Sequence, residues 1–302
     1  MRRVAVALLV ASAACSPTPP TLHPQPHGSA SADEGSGGAP STTIVSSSSE
    51  AATTSASSSS GAGPVVDDPV PSPERIDVPQ EIKTVLDNYD RAAEDKAEDA
   101  GRQPGMTLAF FGVSTGQQIA EILPGDGYFV EVFARTVGPT GKVYGVNNKA
   151  VLEKRDAAWT ARLKRPQNRI VVRLDRELDA PFPADVKDLD LVVIVQSYHD
   201  LYWLGYDRAA MNKAIFAALK PGGKYGVVDH VARKGEGTSQ VKTLHRIEPS
   251  ELRKDIEAAG FVFDAEATFL RNPRDTKDWS ANDSGQENRG TTDRVVYRFK
   301  KP

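Results

Sequence analysis

Short aliphatic runs alternate with amphipathic stretches through the C-terminal three quarters of this chain, and this alternation constrains its fold more than any other feature. Strands that alternate with helices predict an α/β domain built on an open, mostly parallel sheet. The run 189–195 is aliphatic almost throughout, as expected for a central strand covered on both faces. The predicted strands are residues 119–123, 143–146, 170–174, 189–195, 225–228, 261–263 and 295–299, and the predicted helices are 82–89, 128–137, 211–219 and 249–260.

Aromatic residues mark where the folded part of the chain begins. None occurs before Tyr89, and a segment without aromatic side chains buries too little apolar surface to offset its chain entropy. We therefore expect one globular domain over residues 76–302. That range holds 34 basic and 34 acidic side chains. This balance argues against a positive field strong enough to bind nucleic acid.

The N-terminus is typical of an export signal. Met1-Arg2-Arg3 is positively charged, and residues 4–14 are apolar or small, a run too short for a membrane span, which needs ~20 residues. We predict a signal peptide over residues 1–14. Ser12-Ala13-Ala14-Cys15 resembles the lipobox of bacterial lipoproteins, in which the cysteine is lipidated. Cys15 would then anchor the protein outside the cytoplasm, as a periplasmic or outer-membrane lipoprotein. The alternative is an ordinary signal cleaved after Ala14, which would give a secreted protein.

Residues 15–75 are predicted to form a linker. They are rich in Ser, Pro, Gly, Ala and Thr and have no hydrophobic period, as is typical of a flexible, disordered tether. Cys15 is the only cysteine of the chain, so a disulfide within the chain and a zinc–thiolate site are both excluded.

Two polar stretches lie within the predicted domain. We predict that residues 91–99 form a solvated face without function and that residues 271–293 form a loop.

A glycine-rich turn follows the first predicted strand, in the segment Glu121-Ile122-Leu123-Pro124-Gly125-Asp126-Gly127. Its glycines let a ligand approach the backbone, and the next helix presents free N–H groups just beyond. Ligands of parallel sheets bind at the carboxyl ends of the strands. Val130 replaces the third glycine of a dinucleotide fingerprint, and no phosphate-loop motif occurs. The Glu121 carboxylate favours a ligand with amine or hydroxyl donors over a pyrophosphate.

The same segment resembles the first motif of class I S-adenosylmethionine-dependent methyltransferases, an acidic residue followed by a turn containing G-x-G. Its version with Glu and Pro is similar to a bacterial subfamily of predicted methyltransferases. The resemblance covers about residues 80–302 and implies a Rossmann-like, doubly wound, seven-stranded sheet with an antiparallel last strand. Further matching segments follow in order at 141–146, 198–200, 219–223 before Asp229-His230, 244–247 and 289–294.

The resemblance also implies which residues bind the cofactor. The turn Pro124-Gly125-Asp126-Gly127 would hold the methionine part of S-adenosylmethionine through Pro124, Gly125 and Gly127, and Glu121 would face its ammonium group. Asn147 stands where the family has an acid that binds the ribose hydroxyls. Asp175, after the third strand, would meet the adenine amino group. Leu123 replaces a frequent glycine and is expected to narrow the pocket.

Candidate catalytic residues follow the fourth and fifth strands. Methyl transfer to oxygen or nitrogen needs a base in many cases. His199 borders the predicted cofactor mouth and is the predicted base, with Asp200 orienting it. The predicted substrate-lining residues are Tyr198, Tyr202, Asp229 and His230. No H-x-x-x-H or H-E-x-x-H spacing connects these histidines or His245, so we expect no metal site.

The sequence leaves two functions open. The first is a methyltransferase that acts on a small molecule. The second is a membrane-tethered, non-catalytic binding module on a methyltransferase-like fold. Asn147 and Leu123 depart from the family pattern, and export separates the domain from the cytoplasmic supply of cofactor, which favours the second. The intact turn and Asp175 favour the first.

Overall fold

The computed structural model describes residues 69–282, 288 and 290–302. The predicted signal peptide, Cys15 and most of the predicted linker lie outside the described residues. The strands are β1 (Gln118–Ile122), β2 (Lys142–Asn147), β3 (Val171–Asp175), β4 (Leu189–Val195), β5 (Leu219–His230), β6 (Val262–Ala267) and β7 (Arg294–Lys300). The described helices are α1 (Gln80–Leu86), α2 (Ala93–Arg102), α3 (Pro104–Phe111), α4 (Tyr128–Val137), α5 (Lys149–Leu163), α6 (Asp200–Trp203), α7 (Arg208–Ala218) and α8 (Pro249–Glu257).

The strands form one seven-stranded sheet in the order β3-β2-β1-β4-β5-β7-β6. The pairs from β3 across to β5 are parallel, and β7 runs antiparallel to both of its neighbours. This arrangement confirms the predicted Rossmann-like α/β fold with an antiparallel last strand. From β1 the chain moves outward through β2 and β3, then returns to β4 on the other side of β1. The carboxyl ends of β1 and β4 therefore flank the crevice where such sheets bind ligands.

Two hydrophobic cores cover the two faces of the sheet. Because side chains alternate across a strand, Ala120 and Ile122 of β1 pack on one face, and Ile119 packs on the other. The first face is covered by α7 and α8, and the second by α1, α3, α4 and α5. Glu121 has the same parity as Ile119, so its carboxyl group points to the α4 side.

The prediction for the first helix and the charged run after it is wrong in two respects. Helix α1 ends at Leu86, and Tyr89 is 94% exposed instead of facing the core. Residues 91–99 do not form a solvated face, because Arg91 and Asp95 are buried and α2 packs inward. Arg91 pairs with Asp99 at 2.7 Å. Arg91 and Asp95 are buried because each meets an opposite charge: Arg91 pairs with Asp99, eight residues on, and Asp95 pairs with Arg162 of α5.

Helix α5 has no counterpart in the predicted elements. Its sequence is charged on most sides and shows no clear apolar period. The Asn148 side chain caps it by accepting a hydrogen bond from the Val151 N–H at 3.1 Å. Its one fully buried aromatic side chain, Trp159, packs against the backbone of Gly127 and Gly145. Trp159 and Arg162 are the buried side chains of this helix, and these two residues alone give no apolar period in the sequence.

A buried network of charges joins α2, α4 and α5. Arg162 makes two hydrogen bonds to Asp95, at 2.7 and 2.8 Å, and one to Glu131 at 3.0 Å. Its Nε donates to the Asp126 carbonyl at 2.6 Å. Arg165 contacts the same two carboxylates from a more exposed position. Arg162 therefore connects the turn after β1 to three helices.

The segment 271–293 contains no helix or strand in its described part, as predicted for a loop. Buried charge pairs hold it in place. Asp275 accepts from Arg246 at 2.7 Å, and both side chains are fully buried. Arg271 pairs with Asp293 at 2.9 Å. Among the helices of the described region, none combines the length and the apolar character needed to cross a bilayer.

Candidate active site

A cavity of about 720 Å³ opens at the carboxyl ends of β1 and β4. Its volume lies within the range of small-molecule and cofactor sites. Of the predicted site residues, it brings together Glu121, Pro124, Gly125 and His230. The remaining walls come from α2, the start of α4, the segment after β4 and the segment before β7. They include Glu98, Gly101, Arg102, Leu123, Asp126, Tyr128, Arg155, Gln196, Ser197, Asn282, Gly290, Thr292 and Arg294.

The turn between β1 and α4 forms the floor of the cavity. Gly125 has φ +61°, and a Cβ atom added there would meet nothing within 4 Å, so open space lies above its backbone. Leu123 adopts φ +56° and lines the cavity. This φ lies in the left-handed region that favours glycine. It fits the resemblance described above, in which Leu123 stands where the family frequently has a glycine.

Gly127 was predicted to contact the cofactor, but it packs against Trp159 of α5. Its φ is +86°, and an added Cβ atom would lie 2.3 Å from Cζ3 of Trp159. Gly127 does not line the cavity. The second glycine of the turn is therefore required by the packing of α5 against α4, and only Gly125 leaves the backbone open to a ligand.

Glu121 places a carboxyl group in the cavity wall with incomplete hydrogen bonding. Its side chain is only 3% exposed, and Oε2 has no hydrogen-bond partner among the described residues. Burial raises the pKa of Glu121 to about 8; the nearby Arg102 and a hydrogen bond from the Val130 backbone only partly oppose this. A buried acceptor without a donor costs free energy. A ligand with a cationic donor would satisfy the Oε2 atom.

The same cavity wall holds Arg102 and Arg294, which the sequence did not identify as site residues. Arg102, at the end of α2, pairs with Glu98 at 3.5 Å and lies over the Tyr128 ring. Arg294 is buried and donates to the Gly290 carbonyl at 2.8 Å. Burial and the nearby charge of Arg102 lower the pKa of Arg294 to about 10. The cavity thus combines the buried carboxyl group of Glu121 with the guanidinium groups of Arg102, Arg155 and Arg294.

Asn147 and Asp175 do not line the cavity. The Asn147 amide is fully buried against the turn: Oδ1 accepts from the Gly125 N–H at 3.2 Å, and Nδ2 donates to the Gly125 carbonyl at 2.9 Å. Asp175 pairs instead with Arg173 at 2.7 Å. The amide of Asn147 therefore fixes the conformation of the turn, and both of its polar groups are already used.

Replacing Asn147 with Asp is expected to destabilise the protein by about 1–3 kcal/mol. The carboxylate can accept from the Gly125 N–H but would oppose the Gly125 carbonyl, which now accepts a hydrogen bond. Urea denaturation measures the difference. Unchanged stability together with tighter S-adenosylmethionine binding would contradict this assignment and would place residue 147 at the ribose.

Neither member of the predicted catalytic pair lines the cavity. The His199 side chain is 1% exposed, and its Nδ1 lies 2.7 Å from Oδ1 of the fully buried Asp229. Burial alone would lower the pKa of His199, but the carboxylates of Asp229 and Asp200 raise it to about 10. The two carboxylates therefore favour the protonated imidazolium, which is unsuited to a general base.

His230 is the histidine that reaches the cavity wall. Its Nδ1 lies 2.8 Å from the Thr292 hydroxyl. Burial lowers the pKa of His230 well below its usual value, and the neighbouring charges of His199 and Arg294 lower it further. Asp229 faces His199 and the backbone N–H of His230 instead of the cavity. Of the residues predicted around the fifth strand, only His230 is available to a ligand.

The predicted aromatic wall does not form at this cavity. The Tyr198 hydroxyl accepts from Asn212 at 2.9 Å, and Tyr198 is fully buried. The Tyr202 hydroxyl donates to Asp255 at 2.7 Å, and the Arg208 guanidinium lies 3.7 Å from its ring centroid. These tyrosines connect the segment after β4 to α7 and α8. Tyr128 and Phe129, at the start of α4, are the aromatic residues that line the cavity.

One solved structure shares this fold, and two others match it less closely. An S-adenosylmethionine-dependent methyltransferase from Aquifex aeolicus matches 76% of this chain and 100% of its own, with a TM-score of 0.50 and 15% identity. An S-adenosylmethionine-dependent O-methyltransferase from Thermotoga maritima matches 74% of this chain and 71% of its own (TM-score 0.44, 19% identity). Fibrillarin from Aeropyrum pernix, solved with natively bound S-adenosylmethionine, matches 64% and 72% (TM-score 0.42, 13% identity). No protein-family model matches the sequence.

Proposed function

We propose that this protein is an S-adenosylmethionine-dependent methyltransferase that acts on a small molecule. The observation that carries the proposal is the buried carboxyl group of Glu121, a residue of the wall of a ligand-sized cavity, whose Oε2 atom has no hydrogen-bond partner among the described residues. A fold shared with methyltransferases supports the same assignment, although fold alone does not determine activity.

The charges of the cavity fit the amino-acid end of the cofactor. Glu121 would accept hydrogen bonds from its ammonium group, and Arg102 and Arg294 would pair with its carboxylate. Charge-assisted hydrogen bonds of this kind are about twice as strong as neutral ones. The open space above Gly125 would admit the ligand close to the backbone of the turn.

When bound, the cofactor supplies a methyl group on a positively charged sulfur. The remaining work of this chain is to position the acceptor, since methyl transfer depends strongly on alignment. His230 is the histidine of the cavity wall and would take a proton from an oxygen or nitrogen acceptor. Thr292 fixes the orientation of its ring through Nδ1. His230 thereby replaces His199 as the proposed base.

Titration calorimetry of the full chain with S-adenosylmethionine tests the proposal. We expect saturable binding of one cofactor per chain and transfer of a labelled methyl group from the cofactor to a small-molecule extract. A His230→Asn variant should bind the cofactor within about threefold of the wild type and lose transfer by about 10²–10⁴-fold. Absence of binding at millimolar cofactor would refute the proposal.

The second candidate is a non-catalytic binding module. The structure favours it at one point, because the motif residues His199 and Asp200 stand away from the cavity. Cofactor binding without methyl transfer to any fraction of the extract would support this candidate over the first.

We also propose that the protein is exported and anchored through a lipid on Cys15, on the strength of the N-terminal sequence alone. Intact-mass measurement of the native protein tests this. A chain that begins at Cys15 with added acyl mass is expected. A mature chain that begins at Cys15 without that mass would instead indicate a secreted protein.

A further inference from the structure

Three side chains behind the cavity wall form a cluster that the methyltransferase proposal does not use: His199, Asp200 and His245. The Asp200 Oδ1 atom lies 3.3 Å from His199 Nε2 and 3.3 Å from His245 Nδ1. One ligand atom from each residue falls within 4.8 Å of the other two. Metal–ligand bonds of about 2.1 Å in a tetrahedral site place ligand atoms about 3.4 Å apart. We propose that His199, Asp200 and His245 bind a divalent first-row transition-metal ion such as Zn²⁺.

His199 provides an independent indication of a ligand. Its side chain is almost fully buried, and Nε2 has no hydrogen-bond partner in the described part of the chain. The neighbouring Asp200 oxygen is close to this atom but is not oriented to bond it. A buried polar atom without a hydrogen bond, in a cluster with two other potential metal ligands, needs an explanation. A metal ion at this point supplies one.

The residues around the cluster hold two of its ligands in position. Asp229 accepts from the His199 ring at Nδ1 and also from the backbone N–H groups of His199 and His230. Trp203 donates to Asp200 Oδ1 at 2.8 Å. A carboxylate that fixes the far nitrogen of a histidine is a recurrent feature of metal sites. Asp229 can accept the Nδ1 proton whether Nε2 carries a proton or a metal ion.

The ligand set indicates the class of ion. Two imidazoles and one carboxylate suit zinc, iron or cobalt, whereas magnesium and calcium prefer sites made of oxygen alone. His245 is partly exposed, so the ion has access from solvent. None of the three residues lines the cavity. The ion would connect the segment after β4 to the segment before α8, and it would lie next to His230, whose ring centroid is 5.8 Å from that of His199.

Zn²⁺ and Co²⁺ titrations of the full chain test the site. His23 and His27 lie in the predicted linker, so the reference protein carries His23→Ala and His27→Ala. We expect it to bind one equivalent of Zn²⁺ by calorimetry. At about 100 times the dissociation constant, Zn²⁺ should raise the melting temperature by roughly 5–10 °C. Bound Co²⁺ should give visible absorption typical of a nitrogen and oxygen site.

Two variants in that background decide the assignment. His245 has φ +53°, which asparagine tolerates, so His245→Asn removes the imidazole without forcing the backbone. Asp200→Asn removes the carboxylate while keeping the side-chain shape. Each should weaken Zn²⁺ binding at least tenfold and keep the circular dichroism of the metal-free protein. Failure of the reference protein to bind Zn²⁺, or undiminished binding in both variants, would overturn the proposal. The outcome is independent of whether S-adenosylmethionine binds.

Discussion

Replacing Glu121 with Gln is expected to stabilise the ligand-free protein at pH 7 by on the order of 3 kcal/mol and to weaken S-adenosylmethionine binding at the same time. The two effects have one cause. The buried carboxyl group lacks a partner at Oε2 in the described structure. Gln imitates its neutral form, so the variant avoids the cost of burying an acid that prefers to ionise in water.

The sign of the pH dependence follows from the raised pKa of Glu121, about 8 in the folded protein against an ordinary value of 4.5. Between these values the folded state binds more protons than the unfolded state. The contribution of Glu121 to stability is therefore fully present below about pH 4.5 and is lost as the pH rises toward about 8. Other buried groups titrate as well, so only the difference between wild type and variant isolates Glu121.

Urea denaturation at pH 4.5, 7 and 8.5 measures this difference. The stability of the Glu121→Gln variant relative to the wild type should grow with pH across this window. A difference that stays constant with pH would show that Glu121 ionises as readily in the folded protein as in water. That result would contradict the raised pKa of Glu121.

The Glu121→Gln substitution should stabilise the fold but weaken cofactor binding. A charge-assisted hydrogen bond contributes about 1.5–3 kcal/mol, so Glu121→Gln should weaken binding by roughly 10–150-fold. Asp126→Asn, which changes another carboxylate of the cavity wall, is the matched control and should stay within about threefold. In the wild type, binding should strengthen as the pH rises from about 6.5 to 8.5, because the ammonium group of the cofactor requires ionised Glu121. Equal affinities in the wild type and in Glu121→Gln would remove Glu121 from the cofactor site.

Replacing Arg162 with Met is expected to destabilise the protein by about 3–5 kcal/mol, the usual cost of removing one partner from a buried charge network. Asp95 and Glu131 would lose the guanidinium that makes hydrogen bonds to both. The Asp126 carbonyl would lose a donor as well. Because that carbonyl belongs to the turn between β1 and α4, cofactor binding should weaken together with stability.

Arg165→Met is the control for this prediction. Arg165 contacts the same carboxylates, but its side chain is 31% exposed, so water replaces much of the lost interaction. A loss of about 1 kcal/mol or less is expected, as for exposed ion pairs. Denaturation midpoints of the two variants make the comparison, and equal losses would show that the burial of Arg162 is unimportant.

The same network determines how the protein responds to acid. Burial would raise the pKa values of Asp95 and Glu131, but hydrogen bonds, from Arg162 and Arg165 to Asp95 and from Gln167 and Arg135 to Glu131, lower both. Their stabilising contribution is present above the ordinary pKa values of 3.8 and 4.5 and is lost as the pH falls through the lower folded values. The Arg162→Met variant should therefore lose less stability than the wild type as the pH falls below about 4.

The sequence predicted the strands because their signal is local. Helix α4 was located from residue 128 to residue 137, and the strand 189–195 was placed at the correct bounds. The turn after β1 was also identified, because glycines and an acidic residue at the end of a strand are visible in a short window. Helix α5 was missed because its buried side chains are Trp159 and the charged Arg162, which give no apolar period.

The set of residues that forms the site could not be predicted from the sequence, because it depends on the tertiary structure. Glu121 and Gly125 come from one segment, but Arg102 and Arg294 of the same cavity come from α2 and from the start of β7, almost 200 residues apart. Nothing local distinguishes a charge that will be buried from one that will be solvated, since burial depends on partners that the fold brings from elsewhere. For the same reason, the sequence could name His199, Asp200, His230 and His245 as chemically active residues. Which of these residues lines the cavity depends on how distant segments pack. His230 lines it, and the other three do not.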